Sequence, residues 1–202
     1  MSDPVIASIE GATGIIDLAR PEKFNCLSLD VHERIAAARA EFEANPDIRA
    51  ILIRAQGKHF CTGADLNEVK GKLNDPAALD HFIAFGMKNL RALETSSLPV
   101  VVAVQGLCLA GGIELMLACD VCFAGESAQF GDQHADGASL LGQLDPQQLL
   151  HGQRHAEVHV HPGQVVHPVG VRHDLDPGDV LGDLLEAPVE VADVWFDVHD
   201  LF

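Results

Sequence analysis

Two glycine-bearing segments of this chain have the residue types needed to hold a carbonyl oxygen through the main chain. One is His59–Leu66, the other is Gly106–Leu115, and each follows an apolar stretch. Glycine lets a backbone approach a ligand closely, and two N–H groups aimed at one carbonyl oxygen stabilise the negative charge that develops there. The second segment is predicted to open a helix, which would place the N–H of Gly111 at the positive end of the helix dipole. Together the segments suggest an oxyanion site.

Glu114 follows Gly111 by about one helical turn. Its carboxylate would lie beside the same cavity, where it could move a proton on the carbon next to a polarised carbonyl group. A glutamate in a first turn is also favoured by the helix dipole alone, as a solvated side chain with no catalytic task. The residue type and its position leave both interpretations open.

Two short apolar runs, Ala50–Arg54 and Val100–Val104, are predicted to be buried strands that lead into the glycine-bearing segments. The other predicted elements are a hairpin of Val5–Ile9 and Gly14–Leu18, a helix capped by Ser28 that ends near Asn45, and a helix that starts at Asp75-Pro76 and runs to about Glu94. The predicted core positions of the two helices are Val31, Ile35, Ala38, Phe42, Leu79, Phe82, Leu90 and Leu93. The alternation of strands and helices favours an α/β fold.

Six blocks of the chain, in one order and at family-like separations, carry a family resemblance. They are Arg20–Leu27, Lys58–Leu66, Pro99–Gly106, Ala110–Leu115, Cys119–Gly125 and Gln129–Asp132. On these blocks the chain from Pro4 to about His134 resembles the crotonase superfamily of enoyl-CoA hydratases and isomerases. The resemblance implies that ββα units coil into a right-handed spiral of sheets. It also implies an acyl-CoA thioester as substrate, with coenzyme A as part of that substrate and no separate cofactor.

The resemblance also implies roles for individual residues. The backbone N–H groups of Ala64 and Gly111 would hold the thioester oxygen, and Glu114, two residues after Gly112, matches the catalytic glutamate of the family. The implied substrate contacts are Lys23 and Phe24 near the CoA nucleotide, and Asp65 and Leu66 along the acyl pocket. We therefore prefer the catalytic interpretation of Glu114.

The residue at the place of a second catalytic acid is unusual. A family hydratase has a second glutamate a few residues after the Phe-Gly of Gln129–Gly131, and here His134 stands at that place. Histidine has an unperturbed pKa suited to acid–base work near neutrality, so His134 is a candidate substitute. Three functions remain open at this stage: an enoyl-CoA hydratase of fatty-acid oxidation, an isomerase that uses Glu114 alone, and an inactive remnant that binds CoA or associates with intact relatives.

The composition changes after His134. Two basic and twelve acidic residues follow it, so this part contributes −10 to the formal net charge of −17. We predict a crotonase-like, acyl-CoA-binding core over residues 1–134 and an acidic tail rich in His, Val and Asp over 135–202. The family pattern would continue with helices that are not recognisable in this tail. A shifted reading frame or a truncated remainder is the hypothesis that accounts for the change.

Charge and composition limit the classes of binding partner and the cellular location that we expect. A net charge of −17 argues against binding to nucleic acid or to an anionic membrane. The chain has no apolar run long enough to span a bilayer, and its N-terminus lacks a signal sequence, so a cytoplasmic location is expected. Five cysteines, an odd number among apolar neighbours, fit a reducing compartment. A homo-trimer or hexamer is usual for the family, although its C-terminal helices contribute to those contacts.

Two patterns resemble metal sites, and neither predicts one. Cys119 and Cys122 form a C-x-x-C pair, but no second pair or suitable histidines accompany it, so we interpret it as structural. His151, His155 and His159 have helical spacing, but Pro162 follows closely and interrupts a helix there. We expect no functional metal.

Overall fold

The fold is a spiral built on two sheets, and the computed structural model describes residues 3–131 and 165–166 of it. The larger sheet has six strands in the order β1-β2-β3-β4-β6-β8 and the smaller one pairs β5 with β7. The strands are β1 Val5–Glu10, β2 Thr13–Leu18, β3 Ala50–Ala55, β4 Val100–Val104, β5 Leu107–Leu109, β6 Val121–Ala124, β7 Gln129–Gly131 and β8 Val165–Val166. The helices are α1 Leu29–Ala44, α2 Leu66–Lys72, α3 Pro76–Glu94 and α4 Gly111–Leu117.

Each turn of the spiral repeats the same order of elements. A strand of the large sheet is followed by a short extended segment at the small sheet and then by a helix: β4 is followed by β5 and α4. The preceding turn runs from β3 through Cys61 to α2 and α3. The backbone of Cys61 forms an isolated parallel β-bridge with Cys108 of β5, and the two cysteines are not disulfide-bonded. Strands β2, β3, β4 and β6 are mutually parallel. This architecture confirms the predicted α/β fold of repeated ββα units.

The central strands are apolar because both of their faces are covered. Every residue of β4 is buried, and in β3 only Arg54 is partly exposed. Parallel strands with layers on both faces read as continuous apolar runs rather than as alternating ones. The carboxyl ends of parallel neighbours meet at one edge of a sheet, so β3 and β4 deliver the chain to the same edge.

Local sequence signals set the ends of the elements. The predicted hairpin forms, with β1 antiparallel to β2 and Gly11 in the turn at a φ of 57°. Ser28 Oγ accepts a hydrogen bond from Val31 N at 3.3 Å, and Asp75 caps α3 ahead of Pro76. Both caps were predicted from the sequence.

The apolar face of α1 packs on the core as its spacing predicts, and that of α3 does so in part. In α1 the four predicted positions are all buried: Val31, Ile35, Ala38 and Phe42. In α3, Phe82 and Leu93 are buried, whereas Leu79 and Leu90 are only partly covered. The helix α2 was not predicted. Its signal is Asp65 with Glu68 three residues later, which is the spacing of a capping box.

A buried polar pair joins α1 to α3. His32 and Asn89 are 5% and 3% exposed, and Asn89 Nδ2 lies 3.2 Å from His32 Nδ1 in a hydrogen bond. Gly86 leaves room for the imidazole, because a Cβ at that position would lie 3.2 Å from Nε2. Burial lowers the pKa of His32 from 6.5 to about 4, against a smaller opposing effect of the Glu68 carboxylate.

Two other predictions concern the tail and membranes. Residues 135–202 lie outside the described residues apart from Val165–Val166, whose backbone forms β8 antiparallel to β6. The predicted tail, its altered C-terminal helices and the histidines around His155 are therefore not described. Among the described helices, none combines the length and the apolar character that a bilayer crossing requires.

We predict that the buried His32 makes the free energy of unfolding depend on pH. Its pKa is lowered in the folded chain, so between pH 6.5 and about 4 the unfolded chain binds more protons. The contribution of His32 to the free energy of unfolding is therefore complete above pH 6.5. As the pH falls toward 4, the free energy of unfolding decreases by roughly 2–3 kcal/mol. Urea unfolding of His32→Gln at several pH values should show a weaker pH dependence than the wild type over this window. The exposed His81→Gln is the matched control and should retain the wild-type dependence.

Candidate active site

The first glycine-bearing segment is held by the backbone of Leu27. Leu27 N donates to Gly63 O at 2.7 Å, and Asp65 N donates to Leu27 O at 2.8 Å. In this parallel bridge the bonds use the groups on either side of Ala64, so the N–H of Ala64 itself points away from Leu27. Within residues 3–131 that N–H has no hydrogen-bond acceptor.

The second segment starts α4. Ala110 precedes the helix at a positive φ of 48°, and its N–H donates to Gly131 O at 3.2 Å. Ile113 N and Glu114 N both donate to Ala110 O, at 2.8 and 3.2 Å. Gly111 N has no acceptor in the described part of the chain. The backbone therefore presents a second N–H that is available to a ligand.

The two segments touch through their glycines. A Cβ added to Gly63 would lie 3.0 Å from Gly111 N, and one added to Gly111 would lie 3.6 Å from Ala64 N. Gly63 also has a φ of 92°, a conformation that L side chains rarely adopt. The structure thus brings the Ala64 and Gly111 amides, which are far apart in sequence, to neighbouring positions.

Gly112 fixes how closely α4 approaches the first segment. A Cβ at this position would lie 2.4 Å from Cys61 O, which is a backbone atom and cannot move aside cheaply. The same carbonyl accepts a hydrogen bond from Leu109 N at 2.9 Å, and Cys61 N donates to Leu107 O at 3.1 Å. The start of α4 is therefore placed against a segment that is itself fixed by the small sheet.

Glu114 lies on the same part of α4 as Gly111. Residues three apart are neighbours on a helix surface, and Glu114 is half-buried there. Burial raises the pKa of the Cys61 thiol to about 12; the Gly63 N–H opposes this, and charges on Cys26 and Glu114 add to it. Because Gly112 packs against Cys61 O, the start of α4 that bears Glu114 adjoins the segment that bears Ala64.

The side chain of Asp65 has structural partners. It is buried, and its Oδ1 accepts from Asn67 N and Glu68 N at 3.1 and 3.4 Å as the N-cap of α2. Its Oδ2 pairs with Arg20 at 2.9 Å. Leu66, the first residue of α2, is 54% exposed and presents an apolar side chain to the surface. Of the two residues expected along an acyl pocket, Leu66 has its side chain available.

Lys23 and Phe24 lie on the turn that precedes α1. Lys23 ends a short 3-10 helix and is exposed, and the half-exposed ring of Phe24 lies 5.5 Å from that of His59. Thr62 N donates to Phe24 O at 3.2 Å, so this turn adjoins the loop that contains Ala64. The two residues expected near a nucleotide therefore flank the first segment.

His134, the candidate second acid–base residue, lies outside the described residues. Its distance from Glu114 is therefore not part of the described geometry. Its role stays a prediction.

Three residues that support the site were not identified from the sequence as functional. Leu27 supplies the backbone that orients Ala64, and Arg20 pairs with Asp65. Buried Asn25 donates from Nδ2 to Gln56 O and His59 O, at 2.9 and 2.8 Å, and so ties the turn to the loop after β3. All three fall in the Arg20–Leu27 block, whose match to the family was the available signal.

The cysteines of the C-x-x-C pair lie in the core. Both are buried free cysteines, and the Cys119 thiol donates to Leu115 O at 3.3 Å. Burial raises the pKa of Cys122 to about 12, which disfavours the thiolate that metal binding needs. Across the residues described, no three His, Cys, Asp or Glu side chains come together as metal ligands.

Comparisons of the sequence and of the structure with known proteins point to the same family. The sequence model of the family Enoyl-CoA hydratase/isomerase matches residues 8–147, which extends past the predicted boundary at 134. The chain is 34% identical over 148 residues to "Probable enoyl-CoA hydratase echA8" of Mycobacterium bovis. It is 33% identical over 137 residues to the peroxisomal Delta(3,5)-Delta(2,4)-dienoyl-CoA isomerase of Arabidopsis thaliana. A crystal structure of enoyl-CoA hydratase from Bacillus anthracis is similar, with a TM-score of 0.63 and 29% identity.

These similarities cover most of this chain and part of each relative. The matches cover 73% and 62% of this chain for the two curated relatives, and 67% for the crystal structure. They cover 56%, 49% and 53% of the respective relatives. The chain therefore spans about half the length of the curated relatives that it matches.

We predict that Gly112→Ala disrupts the site through overpacking. The new methyl group would meet a backbone carbonyl at 2.4 Å, so the start of α4 must shift. We expect the free energy of unfolding to fall by about 2 kcal/mol, measured by urea denaturation. Gly71→Ala in α2 is the matched control, because nothing lies within 4 Å of its Cβ position. An equal effect of both substitutions would contradict the contact.

Proposed function

The chain belongs to the enoyl-CoA hydratase/isomerase family, and from this premise we propose that it acts on an acyl-CoA thioester. The reaction that we propose is the reversible hydration of a 2-trans-enoyl-CoA to a 3-hydroxyacyl-CoA. The observation on which this rests is the approach of the Ala64 and Gly111 amides, neither of which has an acceptor among residues 3–131. Two such donors suit a thioester oxygen that gains negative charge during the reaction.

In this proposal the two amides polarise the thioester carbonyl. The polarisation withdraws electrons from the conjugated double bond, so that water can add at carbon 3. The electron pair of the double bond moves onto carbon 2, and the thioester oxygen becomes an enolate oxygen. A proton delivered to carbon 2 then completes the 3-hydroxyacyl product. Preorganised donors contribute most at the enolate stage, because they need no rearrangement when the charge forms.

Glu114 is the proposed acid–base residue of this reaction. Syn addition needs one group to orient and deprotonate water and a group to deliver a proton to carbon 2. Glu114 is half-buried in the first turn of α4, on the same part of the helix as Gly111. His134 is proposed as its partner, since it stands where a family hydratase has a second glutamate.

An isomerase is the second candidate function. A single carboxylate can remove a proton from carbon 2 of a 3-enoyl thioester and return it to carbon 4, with the same enolate between the two steps. Two observations favour it: Glu114 is the one carboxylate proposed here for proton transfer, since Asp65 is paired with Arg20 and caps α2, and a relative of 33% identity is named a dienoyl-CoA isomerase. An inactive remnant that binds CoA, or associates with intact relatives, remains the third possibility.

The wider setting of the reaction is also a proposal. We place it in fatty-acid oxidation in the cytoplasm, with coenzyme A as part of the substrate and no metal or other cofactor. We propose assembly as a homo-trimer or hexamer because members of the family usually form these oligomers. Neither nucleic acid nor a membrane is a proposed partner.

We predict that Glu114→Gln abolishes hydration of crotonyl-CoA, whereas His134→Ala lowers it. Glutamine keeps the size of the side chain but cannot exchange a proton, so the loss should reach at least about a hundredfold. The loss of absorbance of the conjugated thioester measures the rate. Glu33→Gln, on the exposed face of α1, is the matched control and should retain the wild-type rate. Equal rates for wild type and Glu114→Gln would remove Glu114 from the mechanism.

Substrate choice should separate the three functions. We expect the purified chain to consume 2-enoyl-CoA faster than it converts 3-enoyl-CoA into the conjugated isomer. The opposite order would favour the isomerase. A cooperative urea transition without turnover of either substrate would favour the inactive form.

A further inference from the structure

A buried ion pair lies directly beside the loop that bears Ala64. Arg20 Nη2 lies 2.9 Å from Asp65 Oδ2, and the two side chains are only 14% and 8% exposed. Arg20 follows β2, and Asp65 is the residue after Ala64. The pair therefore joins two segments that are distant in sequence at the point where the proposed oxygen-binding amide is located.

The guanidinium also fixes the turn from which it extends. Arg20 Nη1 donates to Cys26 O at 3.2 Å, and the main-chain N of Arg20 donates to Asn25 Oδ1 at 2.8 Å. Residue 27, next in the chain, makes the backbone bridge that orients Ala64. Arg20 thus contacts both sides of the bridge, through Cys26 on one strand of it and Asp65 on the other.

The charge of Asp65 would oppose the proposed reaction if it were left unpaired. Burial raises the pKa of this carboxyl, but the hydrogen bond from Arg20 and those from Glu68 N and the Cys26 thiol outweigh it, and the net pKa is lowered. The group is therefore ionised at neutral pH, one residue from an amide that would hold a developing negative charge. An unpaired carboxylate in this loop would repel the developing negative charge where little water screens the two groups. The guanidinium of Arg20 offsets that repulsion.

We propose that Arg20 is a positioning residue for the proposed reaction, which aims the Ala64 amide through Asp65 and neutralises the Asp65 carboxylate beside the thioester oxygen. This inference rests on the proposed function. The effect falls on the enolate, where charge develops, more than on the bound substrate. It therefore changes kcat more than KM.

The test is a set of variants of the full chain, assayed with crotonyl-CoA. Arg20→Met removes the charge and keeps much of the side-chain length; kcat should fall about tenfold or more, with KM within about twofold. Arg20→Met combined with Asp65→Asn should recover part of that kcat, because asparagine still caps α2 and no carboxylate is left unpaired. A double variant no better than Arg20→Met would show a purely structural clamp and overturn the electrostatic role.

Arg54→Met is the matched control. Arg54 pairs with Asp17 at 2.6 Å, and the two side chains are 19% and 12% exposed, but this pair joins β3 to β2 in the large sheet. It should lose stability comparable to Arg20→Met while kcat stays within about twofold of the wild type. An equal fall of kcat in both variants would overturn the proposal.

A second readout reports polarisation without turnover. Butyryl-CoA labelled with ¹³C at its carbonyl cannot be hydrated, and difference infrared spectra give the stretching frequency of the bound thioester. The frequency should drop on binding to the wild type and drop less on binding to Arg20→Met. If the wild type binds the thioester without any drop, the proposed function itself fails. A drop of equal size in wild type and Arg20→Met would overturn the role of Arg20 alone.

One further variant covers the case in which Arg20→Met does not fold. Arg20→Lys keeps the positive charge but cannot reproduce both hydrogen bonds of the guanidinium. It should retain part of the carbonyl shift that the wild type shows. A folded Arg20→Lys protein with no carbonyl shift would contradict the electrostatic role.

Discussion

The site depends on how closely the start of α4 packs against residues 61–64. Gly112 lies so near Cys61 O that a Cβ would come within 2.4 Å of it, and Gly63 lies 3.0 Å from Gly111 N by the same measure. Any side chain at either position would push the two segments apart. Because a pair of amides can share one oxygen only at short range, this absence of side chains is the physical condition for the proposed chemistry.

The sheets make that contact possible by delivering both segments to one edge. Strands β3 and β4 are parallel neighbours, so the loops that follow them leave the sheet side by side. The backbone β-bridge between residues Cys61 and Cys108 then aligns the two loops before either reaches its glycines. Every residue of β4 is buried and only Arg54 of β3 is partly exposed, so both strands are anchored in the core.

Polar residues around the site hold loops to one another. Arg20 and Asp65 join the turn after β2 to the loop after β3, and Asn25 joins the same turn to Gln56 and His59. Such groups are costly to bury unless they are paired, and here the pairing also fixes backbone geometry. The structural and the proposed catalytic tasks therefore fall on adjacent residues of one loop, with Ala64 presenting its amide and Asp65 anchoring it.

The sequence by itself determined the α/β class, the hairpin, the caps at Ser28 and Asp75, and the strands that precede the glycine segments. Each of these follows from local periodicity or a short-range hydrogen bond, which neighbouring residues encode. Family-like blocks also identified Ala64, Gly111 and Glu114 as candidates. Only the tertiary structure decided that Gly63 touches Gly111, that Leu27 orients Ala64, and that Arg20 pairs with Asp65. These contacts join residues far apart in the chain, and no periodicity or spacing encodes which distant partner a side chain meets. The short helix α2 was missed for a related reason: its Asp65–Glu68 signal is short, and Glu68 instead accepts from Leu29 N at the start of α1.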